Sequence, residues 1–265
     1  MAPLQVRQCR QCEHLFLTPY PSDVELEKFY GEAEGYTPEA FSVMHKSEVA
    51  AQYDHSLDSF GTLLTGTSRS LFDFGCARGA FITRAKARGW KVAGYEPTER
   101  LADAARELGV GPIYSNRVLE DVSVENASID VVHCAHVLEH LADPLHAIRW
   151  MSRVLKPGGI LSVQVPNQFD DALWPILHRR RINRTKHLGY NVHHLQFFTL
   201  RSLRAAVEPH GLSIVEMSTR FWLRNRRGLV LEGGGVISHL KLAIYLGVGL
   251  IGRGPQIDLL ARRLP

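Results

Sequence analysis

Apolar positions along this chain follow two alternating rhythms. Leu71-Phe72-Asp73-Phe74, Ile129–Ala135 and Ile160–Val165 are apolar at almost every position, the pattern of strands covered on both faces. Between them the spacing widens to three and four. Ala80–Arg88 is read as a helix ended by Gly89, and Leu101, Ala104, Ala105 and Leu108 mark a second helix ended by Gly109. Asp143-Pro144 supplies an N-cap and a first-turn proline for a third helix carrying Leu145, Ile148 and Leu155, which the turn Lys156-Pro157-Gly158-Gly159 must stop. Further strands are expected at Lys91–Tyr95, near Gly111–Tyr114 and at Leu212–Met217, the last following a helix capped by Thr199, lined by Leu200, Leu203 and Val207, and ended by Gly211. Such alternation builds a largely parallel sheet with helices on both faces.

The first strand ends in Gly75-Cys76-Ala77-Arg78-Gly79-Ala80-Phe81, and the second ends at Tyr95-Glu96-Pro97. A glycine turn opening a helix lets the backbone approach a ligand at the helix N-terminus, while an acid at the neighbouring strand tip can accept ribose hydroxyls. Tight packing alone would also explain the Gly-x-x-x-Gly spacing. The acid makes a nucleoside-like ligand the stronger reading. A dinucleotide loop would need Gly-x-Gly-x-x-Gly, which is absent here.

With these motifs the chain resembles the class I S-adenosylmethionine-dependent methyltransferases, small-molecule branch, from about Ser70 to Met217. Asp73–Gly79 resembles the family's acid-x-Gly-x-Gly-x-Gly loop, with Ala77 in place of the middle glycine. Glu96 matches the ribose-binding acid. Asp130-Val131-Val132 with Val137-Leu138-Glu139-His140-Leu141-Ala142-Asp143-Pro144 is similar to the fourth-strand motif, and Leu155–Gly159 to the turn before strand five. His194-Leu195-Gln196-Phe197-Phe198-Thr199 resembles the segment preceding the helix before strand six.

The resemblance implies an α/β, Rossmann-like seven-stranded sheet of order 3-2-1-4-5-7-6, the last strand antiparallel, with helices on both faces and N-terminal and late lid insertions. Pro255–Arg262 would be strand seven. Residues 1–60 would form a half-ribbon and helical cover, with Leu26, Phe29 and Tyr30 as its apolar stripe. Residues 61–265 would be the catalytic domain, with acceptor-lid insertions at about 167–196 and 220–254. S-adenosylmethionine would be the cofactor and S-adenosyl-L-homocysteine the product. The implied cofactor contacts are Asp73, Gly75, Cys76, Ala77, Gly79 and Phe81 at the loop, Glu96, Pro97 and Thr98 at the ribose and adenine edge, Leu119 and Glu120 beside adenine, and Cys134 and Ala135 near the methyl group.

A hydroxyl acceptor needs a base. Of 13 histidines, His133, His136 and His140 cluster at strand four, and His187, His193 and His194 precede the capped helix. Alternation puts Cys134 and His136 on one side and His133 on the other. His136 is the first candidate for a substrate-facing base, His194 the second and His140 the third, each weighed against a packing role. The expected activity is O-methylation of a small molecule, set against N- or C-methylation and against a non-catalytic cofactor-binding protein.

Composition narrows the partners. A net charge of +4 in 265 residues, without aromatic residues interleaved among the basic ones, argues against nucleic acid. The basic run His178–His187 suggests an anionic acceptor or a solvated surface, and Leu229–Ile251 suggests a hydrophobic acceptor or a dimer surface. A monomer or homodimer is expected. Val236–Gly252 contains His239 and Lys241 and is interrupted by Gly247 and Gly249, so no membrane span is expected. Met1–Arg7 has no leader-like apolar run, and four cysteines fit a reduced, cytoplasmic chain. Cys9-x-x-Cys12 followed by Leu15-Phe16-Leu17-Thr18-Pro19 resembles the second half of a zinc ribbon. A half-ribbon without metal is the expectation, and no metal is assigned.

Overall fold

The computed structural model describes residues 5–20, 22, 46–116, 118–167, 194–220, 254 and 256–265. The continuous apolar runs become the central strands, because a strand buried on both faces has no polar side to show. In chain order the described elements are β1 (Gln5–Gln8), β2 (Leu15–Thr18), α1 (Lys46–Leu63), β3 (Ser70–Phe74), α2 (Ala80–Ala87), β4 (Lys91–Tyr95), α3 (Glu99–Arg106), β5 (Ile113–Tyr114), β6 (Ile129–Ala135), α4 (Pro144–Val154), β7 (Leu155–Pro166), β8 (Gln196–Phe197), α5 (Leu200–Val207), β9 (Leu212–Arg220) and β10 (Gln256–Arg263).

Seven strands form one sheet in the order β5-β4-β3-β6-β7-β10-β9. Strands β3 to β7 pair in parallel, and β10 lies antiparallel between β7 and β9. This is the expected 3-2-1-4-5-7-6 order. Alternation along each strand feeds two cores. Phe72, Val132, Cys134, Leu161 and Val163 pack with Trp150, Met151 and Leu203 of α4 and α5. Leu71, Val131 and Ile160 pack on the other face with Leu57, Phe60, Ile82 and Ala102 of α1, α2 and α3.

Two expectations about α4 need correction. Its buried stripe is Ala147, Ile148, Trp150, Met151 and Val154, whereas Leu145 is 46% exposed and Leu155 already pairs with Ile129 as the first residue of β7. The helix ends at Val154, before Lys156-Pro157-Gly158-Gly159, so this turn does not separate helix from strand. It forms an irregularity inside β7, between the pairs Ile129–Leu155 and Val131–Ile160. Gly158 takes φ +78°, and a Cβ on Gly159 would lie 2.8 Å from the Lys156 carbonyl oxygen.

A second, three-stranded sheet, β1-β2-β8, lies outside the main one. The Cys9–Cys12 turn joins β1 to β2, and Leu15 and Phe16 of β2 pair with Phe197 and Gln196. The N-terminal hairpin thus docks on the segment that follows His194. The helical stripe at Leu26, Phe29 and Tyr30, the basic run 178–187 and the apolar stretch 229–251 lie outside the described residues.

Candidate active site

Strands β3, β4 and β6 run in parallel, so the residues just past their C-terminal ends gather on one edge, where open α/β sheets bind ligands. Past β3 the backbone is left-handed at three alternate residues: Gly75 at φ +87°, Ala77 at φ +47° and Gly79 at φ +79°. A Cβ on Gly75 would sit 2.3 Å from Val137 Cγ2, so only glycine lets the loop pack beneath the turn after β6. The amides of Gly75 and Cys76 both donate to the Tyr95 carbonyl, which ties the loop to the end of β4. Gly79 then starts α2 without a side-chain cap.

Glu96 is buried, and its carboxylate accepts from the Ala77 amide at 3.1 Å and the Thr98 amide at 2.9 Å. Burial raises its pKa against the pull of those two donors. Asp73 is also buried, and desolvation together with the Glu96 charge pushes its carboxyl up to about 8. Pro97 and Thr98 are exposed at the rim. The Arg78 Nε is buried in the same loop without a hydrogen-bond partner.

Two expected contacts have other neighbours in the structure. The Cys76 side chain is buried in the core beside Gly94, where a Cβ would meet its Sγ at 2.7 Å, so only its backbone belongs to the loop surface. Glu120 sits on a one-turn 3-10 helix with Leu119 and pairs with His146 Nε2 at 2.6 Å. Phe81 packs against Tyr53 and His133, with ring centroids 5.1 and 4.3 Å apart. Cys134 is fully buried in the core, and Ala135 ends β6 half-buried.

The histidines separate sharply by environment. His133 is buried against Phe60 and Phe81, within 3.1 Å of Ser162 Oγ, and desolvation drives its pKa down to about 3. Alternation places it opposite Cys134, as expected. At His136 the backbone turns left-handed, φ +56°, with its amide donating to the Gln164 carbonyl, so strand alternation no longer sets where its ring points. The ring is half exposed, and its Nδ1 lies 3.5 Å from Glu139 Oε1. Desolvation opposes charge on this ring, but Glu139, Asp258 and Gln256 outweigh it and raise the His136 pKa.

Glu139 is buried, and burial favours its neutral form, yet His136 and His140 hold its pKa below the ordinary value. His140 Nε2 lies 3.8 Å from Glu139 Oε1, and the His140 and His194 rings meet edge to face at 4.9 Å. The Leu195 amide donates to the Glu139 carbonyl at 2.7 Å, and the Leu17 amide donates to the Leu195 carbonyl at 2.9 Å. Buried Gln196 completes the clamp. Its amide group donates to the Leu141 carbonyl at 2.9 Å, and its Oε1 accepts from His14 Nε2 at 2.9 Å. His136, His140 and His194 are therefore gathered at one edge, whereas His187 and His193 lie outside the described residues.

Asp130, from the fourth-strand motif, is structural. Burial works against its charge, but Lys156, Ser70 and Ser68 hold its carboxyl down to about 2. It accepts from Lys156 Nζ and from the Ser70 amide, both at 2.8 Å, and so pins β6 to β3.

Residues 45–217 match the family described as "Methyltransferase domain". The chain belongs to the class I S-adenosylmethionine-dependent methyltransferases. This methyltransferase is 25% identical over 228 residues to the C-methyltransferase NovU of Streptomyces niveus, covering 82% of this chain and 48% of that protein. It is 36% identical over 96 residues to the ubiquinone biosynthesis O-methyltransferase of Vibrio vulnificus, covering 34% of this chain and 41% of the relative. The chain thus spans less than half the length of these two curated relatives. Its fold matches that of Haemonchus contortus phosphoethanolamine N-methyltransferase 2 in complex with S-adenosyl-L-methionine, with a TM-score of 0.62 at 15% identity, over 95% of this chain and 63% of that one.

The loop fits the family's cofactor. S-adenosylmethionine carries two cationic groups and a ribose: the buried Asp73 carboxyl, once ionised, offers charge to the cationic end, and the buried Glu96 carboxylate can accept the ribose hydroxyls. The cofactor's carboxylate would find the buried, unpaired Arg78 Nε in the same loop. Tyr53 of α1 was not identified from the sequence. Its ring packs edge-on against Phe81 of α2 with centroids 5.1 Å apart, and burial and then the nearby Asp73 charge push its hydroxyl up to about 12. Glu139 and Gln196 were also missed as site residues, although both lie inside recognised motifs. Their importance comes from contacts between segments distant in sequence.

Proposed function

We propose that this chain transfers a methyl group from S-adenosylmethionine to the hydroxyl of a small-molecule acceptor, with His136 receiving the hydroxyl proton. The observation that supports this most directly is the half-exposed His136 ring, 3.5 Å from the buried Glu139 carboxylate, on the sheet edge that also presents Asp73 and Glu96. When bound, S-adenosylmethionine would supply an electrophilic methyl group for an in-line displacement. Glu96 and the Gly75–Gly79 loop would hold the donor, so that much of the acceleration would come from alignment. Glu139 orients His136 and stabilises the imidazolium formed when it takes the proton.

C-methylation is the second reading, favoured by similarity to NovU over 82% of this chain. An anionic or partly hydrophobic acceptor, a monomer or homodimer, and a cytoplasmic location remain part of the proposal. All four cysteines are free, and no helix among the described residues is long and apolar enough to cross a membrane.

Turnover of S-adenosylmethionine against a panel of phenols, sugars and amines tests the activity. His136→Ala is expected to lower kcat about 100-fold or more, as removal of a general base does, with cofactor Kd unchanged. Full activity in that variant removes His136 from the mechanism, and methylation confined to carbon or nitrogen acceptors overturns the O-methyl reading.

A further inference from the structure

We infer that Glu139, His140 and His194 form a binding site for one first-row divalent transition metal ion, zinc foremost, which would hold an oxygen of the acceptor. The ligand atoms of the three side chains all lie within 4.8 Å of one another. Around an ion with bonds of about 2.0–2.1 Å, neighbouring ligand atoms stand roughly 3–3.5 Å apart, so the cluster needs only small side-chain rotations to close.

A second observation points the same way. Glu139 is 2% exposed, and neither carboxylate oxygen has a hydrogen-bond partner. The histidine nitrogens beside it are His136 Nδ1 at 3.5 Å, at the limit of a hydrogen bond, and His140 Nε2 at 3.8 Å, beyond it, so the carboxylate is at best weakly satisfied. A buried carboxylate left in that state costs free energy that a bound cation would remove.

The donor set fixes the class of ion. Two imidazoles and one carboxylate suit zinc, iron, nickel or cobalt, whereas calcium and magnesium prefer oxygen ligands alone. Three protein ligands also leave at least one coordination position open, the arrangement of catalytic rather than structural sites. The backbone holds the donors in place from two sides. His140 follows Glu139 on the one-turn 3-10 helix Leu138–His140, and the bond from the Leu195 amide to the Glu139 carbonyl fixes His194 opposite them. The Leu17 and Gln196 bonds then lock that segment to the N-terminal hairpin.

The placing of the acceptor's oxygen on the ion rests on the methyl-transfer reading; binding of the ion does not. An ion at this position would turn a hydroxyl or enol oxygen of the acceptor toward the cofactor edge and polarise it. The acceptor class it favours carries an oxygen donor rather than an amine alone.

The test is calorimetric titration of chelator-stripped full-length protein with zinc, and with cobalt for its visible absorption. Both use the Cys9→Ser/Cys12→Ser background, so that thiol binding is not counted. One equivalent should bind, and cobalt should give the absorption bands of nitrogen and oxygen ligation. His194→Ala and His140→Ala should each weaken binding about 100-fold or more while keeping the wild-type circular dichroism and melting temperature. His194→Ala guards against a variant that misfolds, because its ring is only partly buried. No stoichiometric binding, or equal affinity in His194→Ala, overturns the site. Turnover unaffected by chelation together with absent binding leaves the methyltransferase reading standing. Stoichiometric binding without turnover on any acceptor would instead sink the activity and spare the site.

Discussion

The amide of Ala77 donates to Glu96 Oε2 at 3.1 Å, which makes the loop after β3 and the acid after β4 a single unit. That bond requires the Ala77 amide to turn inward, which it does at φ +47°. Alanine therefore occupies a left-handed position that glycine fills without steric cost.

Ala77→Gly should stabilise the protein. Left-handed backbone costs alanine about 1–2 kcal/mol, while glycine's freer unfolded chain gives back about 0.4–1 kcal/mol. A net gain of roughly 0.5–1 kcal/mol is expected, read as a higher denaturation midpoint at constant m-value. Ala77→Val should move the midpoint down.

Cofactor affinity should depend on pH through Asp73. Its carboxyl is held up to about 8, so below that pH it is protonated and must lose a proton to face a cation. Binding of S-adenosylmethionine should tighten as pH rises from 6 to about 8, with proton release visible as a buffer-dependent binding enthalpy. Asp73→Asn should bind more weakly and lose the Asp73 share of that proton release.

His133 should make the fold acid-labile well above the carboxylate range. Its folded pKa is about 3 against 6.5 for the free side chain, so the unfolded chain binds the extra proton between those values. Stability contributed by this neutral ring is fully present above pH 6.5 and is lost as pH falls toward 3, at up to about 1.4 kcal/mol per pH unit. His133→Phe, which keeps a ring against Phe60 and Phe81, should flatten that part of the stability curve. Parallel curves for the two proteins would show that His133 does not titrate as described.

Gln196→Leu should damage the site without touching the cofactor. The change leaves the Leu141 carbonyl and the His14 ring nitrogen without their buried partner, at about 1–3 kcal/mol for each such group. Methyl transfer should fall through displacement of His194, while S-adenosylmethionine binding stays within a factor of two or three. Unfolding would begin at the N-terminal hairpin and should be visible by hydrogen exchange at Leu17, whose amide bonds to Leu195.

What the sequence by itself determined was everything carried by local pattern. Continuous apolar runs marked β3, β6 and most of β7, and glycines marked the helix ends at Gly89 and Gly211, both left-handed in the structure. The Asp73–Gly79 loop and Glu96 were legible for the same reason: strand, turn and helix are contiguous, and the second acid follows after one βαβ unit.

Tertiary structure alone decided the direction of side chains at the ends of that pattern. Cys76 lies in the loop motif, yet Gly94 on the adjacent strand leaves the space that draws its sulfur into the core. Glu120, expected beside adenine, gains a partner in His146 of α4 that no local pattern announced. His136 left the strand alternation because a left-handed residue follows Ala135, and only then does it face Glu139. The clamp on His194 joins residues near 14, 139 and 196, which no period in the sequence relates. Backbone hydrogen bonding and burial repeat along a chain and leave a trace in its pattern, whereas contacts between distant segments exist only once the sheet has brought them together.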